Sequence, residues 1–134
     1  MPGTSFIDHR GTRILYLDYA GVKDTETALR LIDETRRIIT AQTARRSLLS
    51  LTHVRDSHFD TTVLRAMRAL AEHNAPYVRA GAVVGMNPLM KVAFSTVVHL
   101  TGRALRAFDD LDEAKEFLAA QALQSIPFSS EAGC

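Results

Sequence analysis

Short runs of aliphatic and β-branched residues alternate along this chain with longer runs in which apolar residues return every three or four positions, and that alternation restricts the fold most. Parallel strands need long crossover connections, which helices supply, so strand-helix-strand alternation points to a mostly parallel sheet. Ile14 to Tyr19, Ser47 to Val54 and Val78 to Gly85 have strand character. Arg10-Gly11 supplies a turn between Phe6-Ile7-Asp8-His9 and the first of these, so a hairpin opens the domain. The spacing predicts a first helix capped by Asp24, with Ala28, Leu31, Ile32, Thr35, Ile38 and Ile39 on its inner face and Arg30, Glu34 and Arg37 in solvent. A second helix carries a stripe of Val63, Leu64, Met67, Leu70 and Ala71, read as core.

Val78 to Gly85 is the most continuous apolar strand, which predicts a central position under helices on both faces. Asn87-Pro88 then starts a third helix, because Asn accepts an orphan amide and proline at the first helical position needs no donor. Leu89, Met90, Ala93, Phe94, Val97 and Val98 give that helix a wide apolar face. Gly102 ends it before a short strand near Ala104 to Phe108. Asp110 and Glu113 form a capping-box-like start to the last helix, with Ala114, Phe117, Leu118 and Gln121 inward. The expected architecture is α/β: a single-layer mixed, mostly parallel sheet of about five strands with about four helices, in β-β-α-β-α-β-α-β-α order. Residues 1–123 form one domain and 124–134 a flexible C-terminal tail rich in Ser, Gly and Pro.

The 134 residues leave no room for a second domain, and 46% hydrophobic residues suffice to cover a modest sheet. Sixteen Lys and Arg against 15 Asp and Glu leave a net charge of +1, so no basic footprint for nucleic acid is visible. The one cysteine, Cys134, cannot form an internal disulfide. With neither a leader-like N-terminus nor an apolar run of about 20 residues, a cytoplasmic location without a transmembrane segment is expected.

Four phrases, in their order and spacing, are more specific than any one of them. They are Ile14-Leu15-Tyr16-Leu17-Asp18-Tyr19, Ser47-Leu48-Leu49-Ser50-Leu51-Thr52-His53-Val54, Asn74-Ala75-Pro76-Tyr77-Val78 leading into Ala82-Val83-Val84-Gly85, and Phe108-Asp109-Asp110-Leu111 continuing to Leu118. The chain resembles the SpoIIAA-like branch of STAS domains, the anti-sigma-factor-antagonist family, from about Phe6 to Gln121. The resemblance implies a regulatory module without enzymatic activity or cofactor. Its partner would be another protein, including a kinase-like regulator, with a homodimer as a further arrangement. In the family a Ser or Thr near the start of the helix after the third strand is phosphorylated. The corresponding phrase here is Phe59-Asp60-Thr61-Thr62-Val63-Leu64, where Val63 replaces the family's glycine, and Ser57 is a third candidate hydroxyl. A phosphate there would bring nearly two negative charges to a helix N-terminus. The alternative assignment is an ordinary helix start capped by Asp60.

His53, Asp56, Ser57, His58 and Asp60 make the densest reactive cluster, but they lack metal-site spacing and no oxyanion site accompanies them, so neither a metal nor a catalytic role is expected. The competing reading is a small-molecule, anion or lipid binder, for which loops at the carboxyl ends of the strands are the natural place. There, Gly85, Asn87 and Lys91 join the His53 to Asp60 segment as candidate ligand residues. No glycine-rich phosphate fingerprint is present. The wider grouping of the family includes lipid-transfer-like modules, so an apolar ligand under the Met90 to Val98 helix is a further option, set against packing of that face on the sheet or on a twin subunit.

Overall fold

A computed structural model describes residues 3–42, 47–101 and 104–124. The opening hairpin pairs β1 (Gly3–His9) antiparallel with β2 (Thr12–Asp18) around a turn in which Arg10 and Gly11 both take positive φ. The chain then alternates α1 (Thr25–Thr40), β3 (Leu48–His53), α2 (Thr61–Asn74), β4 (Val78–Val84), α3 (Pro88–Thr101), β5 (Ala104–Phe108) and α4 (Leu111–Gln124). This is the expected mixed sheet of five strands with four helices.

The strands lie in the order β1-β2-β3-β4-β5, with β2 to β5 parallel. Because parallel crossovers are right-handed, a sheet that grows in one direction puts every crossover helix on the same face. Accordingly Leu15, Leu17 and Tyr19 of the β2 segment share one apolar cluster with Leu31 of α1, Val63 and Leu70 of α2 and Met90 of α3. Only α4, which follows the last strand, covers the other face, where Ala114 and Leu118 meet Ile14, Leu49, Leu51 and Val84. β4 is buried on both faces as its composition requires, but the middle strand is β3, because no strand inserts between its neighbours.

Side-chain caps set each helix start. Asp24, Asp60, Asn87 and Asp110 accept from the amides of Thr27, Val63, Met90 and Glu113, each at 2.9 Å. On α1 the residues Ala28, Leu31, Ile32, Thr35 and Ile39 are buried. Thr35, fully buried, donates to the Leu31 carbonyl at 2.9 Å, which leaves it to accept from Tyr19 at 2.6 Å and from Thr4 at 2.7 Å. That satisfied network ties α1 to β1 and to the end of β2. Residues 124–134 of the expected tail lie outside the described residues, apart from Gln124 at the end of α4.

Candidate functional site

Across the sheet, neighbouring strands bring Leu15, Ser50, Gly81 and Leu105 into one row and Leu17, Thr52 and Val83 into the next, all facing α2 and α3. The middle of both rows is built from small or short side chains, so the sheet surface dips there. A Cβ added to Gly81 would come within 2.8 Å of Leu105 Cδ2 and 2.9 Å of Ser50 Oγ, so those two side-chain ends lean over Gly81 and would have to shift for a larger residue. Above the dip, α3 packs chiefly against α2 instead of lying flat on the sheet. The result is a cavity of about 130 Å³ between the sheet, α2 and α3. Its walls include Leu64, Met67 and Ala71 of α2 and Met90, Ala93 and Phe94 of α3.

The stripe on α2 therefore does more than pack. Val63 and Leu70 are buried in the core, with Leu70 also on the cavity wall, and the partly buried Leu64, Met67 and Ala71 border the same space. Arg68, half-exposed, stands at the margin and pairs with Glu72 at 3.5 Å. Of the polar residues on the cavity, Thr52 is 9% exposed and Asn74 is 7% exposed. Asn74 Oδ1 shares a 2.9 Å hydrogen bond with His73 Nδ1. Neither the Thr52 nor the Ser50 hydroxyl bonds to a described residue.

The loop joining β3 to α2 separates the residues that the sequence clusters. Val54 is buried, Asp56 takes a left-handed φ of 59°, and Ser57 is buried with its hydroxyl donating to the Val54 carbonyl at 2.6 Å. Asp60 receives the Thr25 hydroxyl at 2.6 Å as well as the Val63 amide, and these bonds hold its carboxyl below the usual carboxylate range. It thus clasps the starts of α1 and α2 together. Thr61 and Thr62, in the first turn of α2, are exposed. Ser57, Asp56 and His58 border a shallow open hollow with Lys23.

His53 lies on the opposite face of the sheet from the cavity. It follows Leu49 and Leu51 on the α4 side, where its Nδ1 shares a 2.9 Å hydrogen bond with the Tyr16 hydroxyl and stands 4.0 Å from Asp18 Oδ1. Burial lowers the His53 pKa against the opposing pull of Asp18, and Nε2 is buried without a partner. His53 and His58 are not brought together. Among the described residues no cluster of three or more His, Cys, Asp or Glu is placed to hold a metal ion.

At the carboxyl ends of the strands, Gly85 has φ 85° and its Cα faces the Arg55 backbone, so that a Cβ would stand 2.7 Å from Arg55 Cβ. Asn87 is spent on capping α3. Lys91 borders an open polar hollow with Arg106, Asp109 and Glu113. Of these loops, Val54, Phe59 and Met86 line the apolar cavity, which otherwise lies between α2, α3 and the sheet. Sequence reasoning missed Ser50, Thr52 and Gly81; the available signal was three small residues at inward positions of two adjoining strands. No helix among the described residues is long and apolar enough to cross a membrane.

No protein-family model and no curated protein matches the sequence. Among solved structures, the fold is similar to that of an uncharacterized protein of the DUF3478 family with a SpoIIAA-like fold from Shewanella loihica PV-4. The TM-score is 0.67 at 12% identity, over 88% of this chain and 95% of that chain. An anti-sigma-factor antagonist (STAS) domain protein from Planctomyces limnophilus shares 14% identity over 90% of this chain and 98% of its own, with a TM-score of 0.47. At such identities the likeness concerns architecture, and it agrees with the mixed sheet and helix order that the four sequence phrases imply. The chain is a domain of the SpoIIAA-like fold.

Proposed function

We propose that this protein is a non-catalytic, cytoplasmic binding module that takes a small apolar ligand between α2, α3 and the sheet. One observation carries the reading: an apolar-walled cavity of about 130 Å³ lies over a sheet surface kept low by Ser50 and Gly81. Protein interiors are close-packed, and engineered apolar cavities of about 150 Å³ accept benzene. The non-catalytic part rests on the separation of His53, on the α4 side of the sheet, from Ser57 and His58 in the β3–α2 loop. The test is titration of the ¹⁵N-labelled protein with toluene, followed by amide chemical shifts. Saturable shifts confined to the neighbourhood of Leu64, Met67, Ala93 and Phe94 are expected; no saturable shift there would rule the reading out.

A second reading, a protein partner switched by a kinase-like regulator, draws support from the exposure of Thr61 and Thr62 in the first turn of α2. A phosphate on either would add charge to the first turn of α2, beside the Asp60 carboxylate that caps it, and would change the charge presented to a partner. The same placement disfavours Ser57, whose buried hydroxyl is held by Val54. Pull-down from the native cell with wild-type and Thr62→Asp protein tests this. A partner retained equally by both would remove the switch.

A further inference from the structure

We infer that the cavity ligand is a compact, uncharged molecule of about six to eight heavy atoms, an aromatic or alicyclic body bearing one hydroxyl or carbonyl that hydrogen-bonds to Thr52 and Ser50. This deepens the cavity-binding reading and rests on it. The part of the ligand held between α2, α3 and the sheet is small, because about 130 Å³ is slightly less than the space that accepts benzene.

The polar group follows from the floor. Ser50 and Thr52 are two residues apart on β3, so both side chains face the cavity side of the sheet. Thr52 is 9% exposed and lines the hollow, so its hydroxyl is presented to whatever enters. In a mostly apolar hollow that also includes Asn74, two hydroxyls on one strand are the kind of sparse polar feature that orients a ligand. Each hydroxyl both donates and accepts, so an alcohol or a ketone is served equally well. The absence of charge follows from Arg68. It is the one cation bordering the cavity among the described residues, it is half-exposed, and Glu72 already pairs with it at 3.5 Å. A carboxylate at the floor would therefore be buried without compensation.

The experiment compares benzyl alcohol with toluene on wild-type protein, Thr52→Val and Ser50→Ala, by amide shift titration, with thermal melts to verify that each variant folds. Thr52→Val, nearly the same shape without the hydroxyl, should weaken benzyl alcohol roughly tenfold and leave toluene unchanged or tighter. Ser50→Ala provides an independent reading of the same preference should the valine variant not fold. Equal effects on both probes, or none on either, would overturn the polar recognition while leaving the cavity as an apolar site. Failure of both probes to bind wild-type protein would instead remove the cavity reading itself. Tighter binding of 1-dodecanol than of benzyl alcohol at the same residues would overturn the size limit.

Discussion

Filling the cavity should stabilise the protein and abolish ligand binding together, and Ala93→Leu is the substitution to make. Ala93 lines the cavity from α3, partly buried, on a helix whose propensity for leucine is high. Leucine adds three carbons to alanine, worth about 2.4 kcal/mol at roughly 0.8 kcal/mol per buried methylene. Ordering the longer side chain costs about 0.5–1 kcal/mol. The expected gain is therefore about 1.5 kcal/mol, or a rise in Tm of roughly 5 °C for a chain of this size.

Urea denaturation of wild type and variant reads the gain directly, as a higher midpoint at unchanged slope. Val92→Leu is the control, because Val92 is 69% exposed on α3, and it should change stability by less than about 0.5 kcal/mol. The same Ala93→Leu protein should show no toluene-induced shifts. A loss of about 1 kcal/mol or more with Ala93→Leu would mean that α3 already packs tightly there and that leucine overfills the site. Unchanged stability with unchanged toluene binding would equally refute the cavity.

Gly85→Ala should destabilise by about 2 kcal/mol or more, since a side chain at φ 85° meets the Arg55 backbone; a thermal melt within 1 °C of wild type would contradict this. Ser57→Asp should destabilise by about 2 kcal/mol through a buried charge and a lost bond to Val54, whereas Thr62→Asp, exposed at a helix start, should be neutral or slightly stabilising in the same denaturation assay. For His53, burial depresses the folded pKa below the unfolded value of about 6.5, so the unfolded chain binds the proton first. Its contribution is whole above about pH 6.5 and is lost as pH falls from there through the folded pKa; His53→Gln should flatten that part of the stability profile, and an NMR titration placing His53 above 6.5 would refute the assignment.

Much of the architecture was readable because it depends on local rules. Asp24, Asp60, Asn87 and Asp110 are each followed by a helical apolar pattern, and all four cap helices. The α1 face, from Ala28 to Ile39, is buried at nearly every position its spacing selects. The cavity was less readable, because periodicity reports which side of a helix turns inward and not whether a neighbour fills the space it faces. Leu64, Met67 and Ala71 carry the same signal as Val63 and Leu70, yet only the latter pair is buried in the core. What separates them is which residues of β3, β4 and α3 stand opposite, and that is not a property of a single segment. Likewise the Ser57 and Thr62 hydroxyls are five residues apart in sequence but opposite in accessibility, because the left-handed turn at Asp56 folds Ser57 back under Val54.

The two functional readings meet on α2. Its first turn carries Thr61 and Thr62 beside the Asp60 clasp to α1, and its inner face, beginning at Leu64, walls the cavity. Phe59, which immediately precedes the cap, lies in the core and also borders the cavity. If a ligand and a phosphate each favour a particular position of α2, linkage makes each change the affinity of the other by the same factor. The coupling has a direct measurement: toluene affinity compared between wild type and Thr62→Asp. A shift of threefold or more in either direction would join the cavity to the switch surface, and equal affinities would make them independent features of one helix.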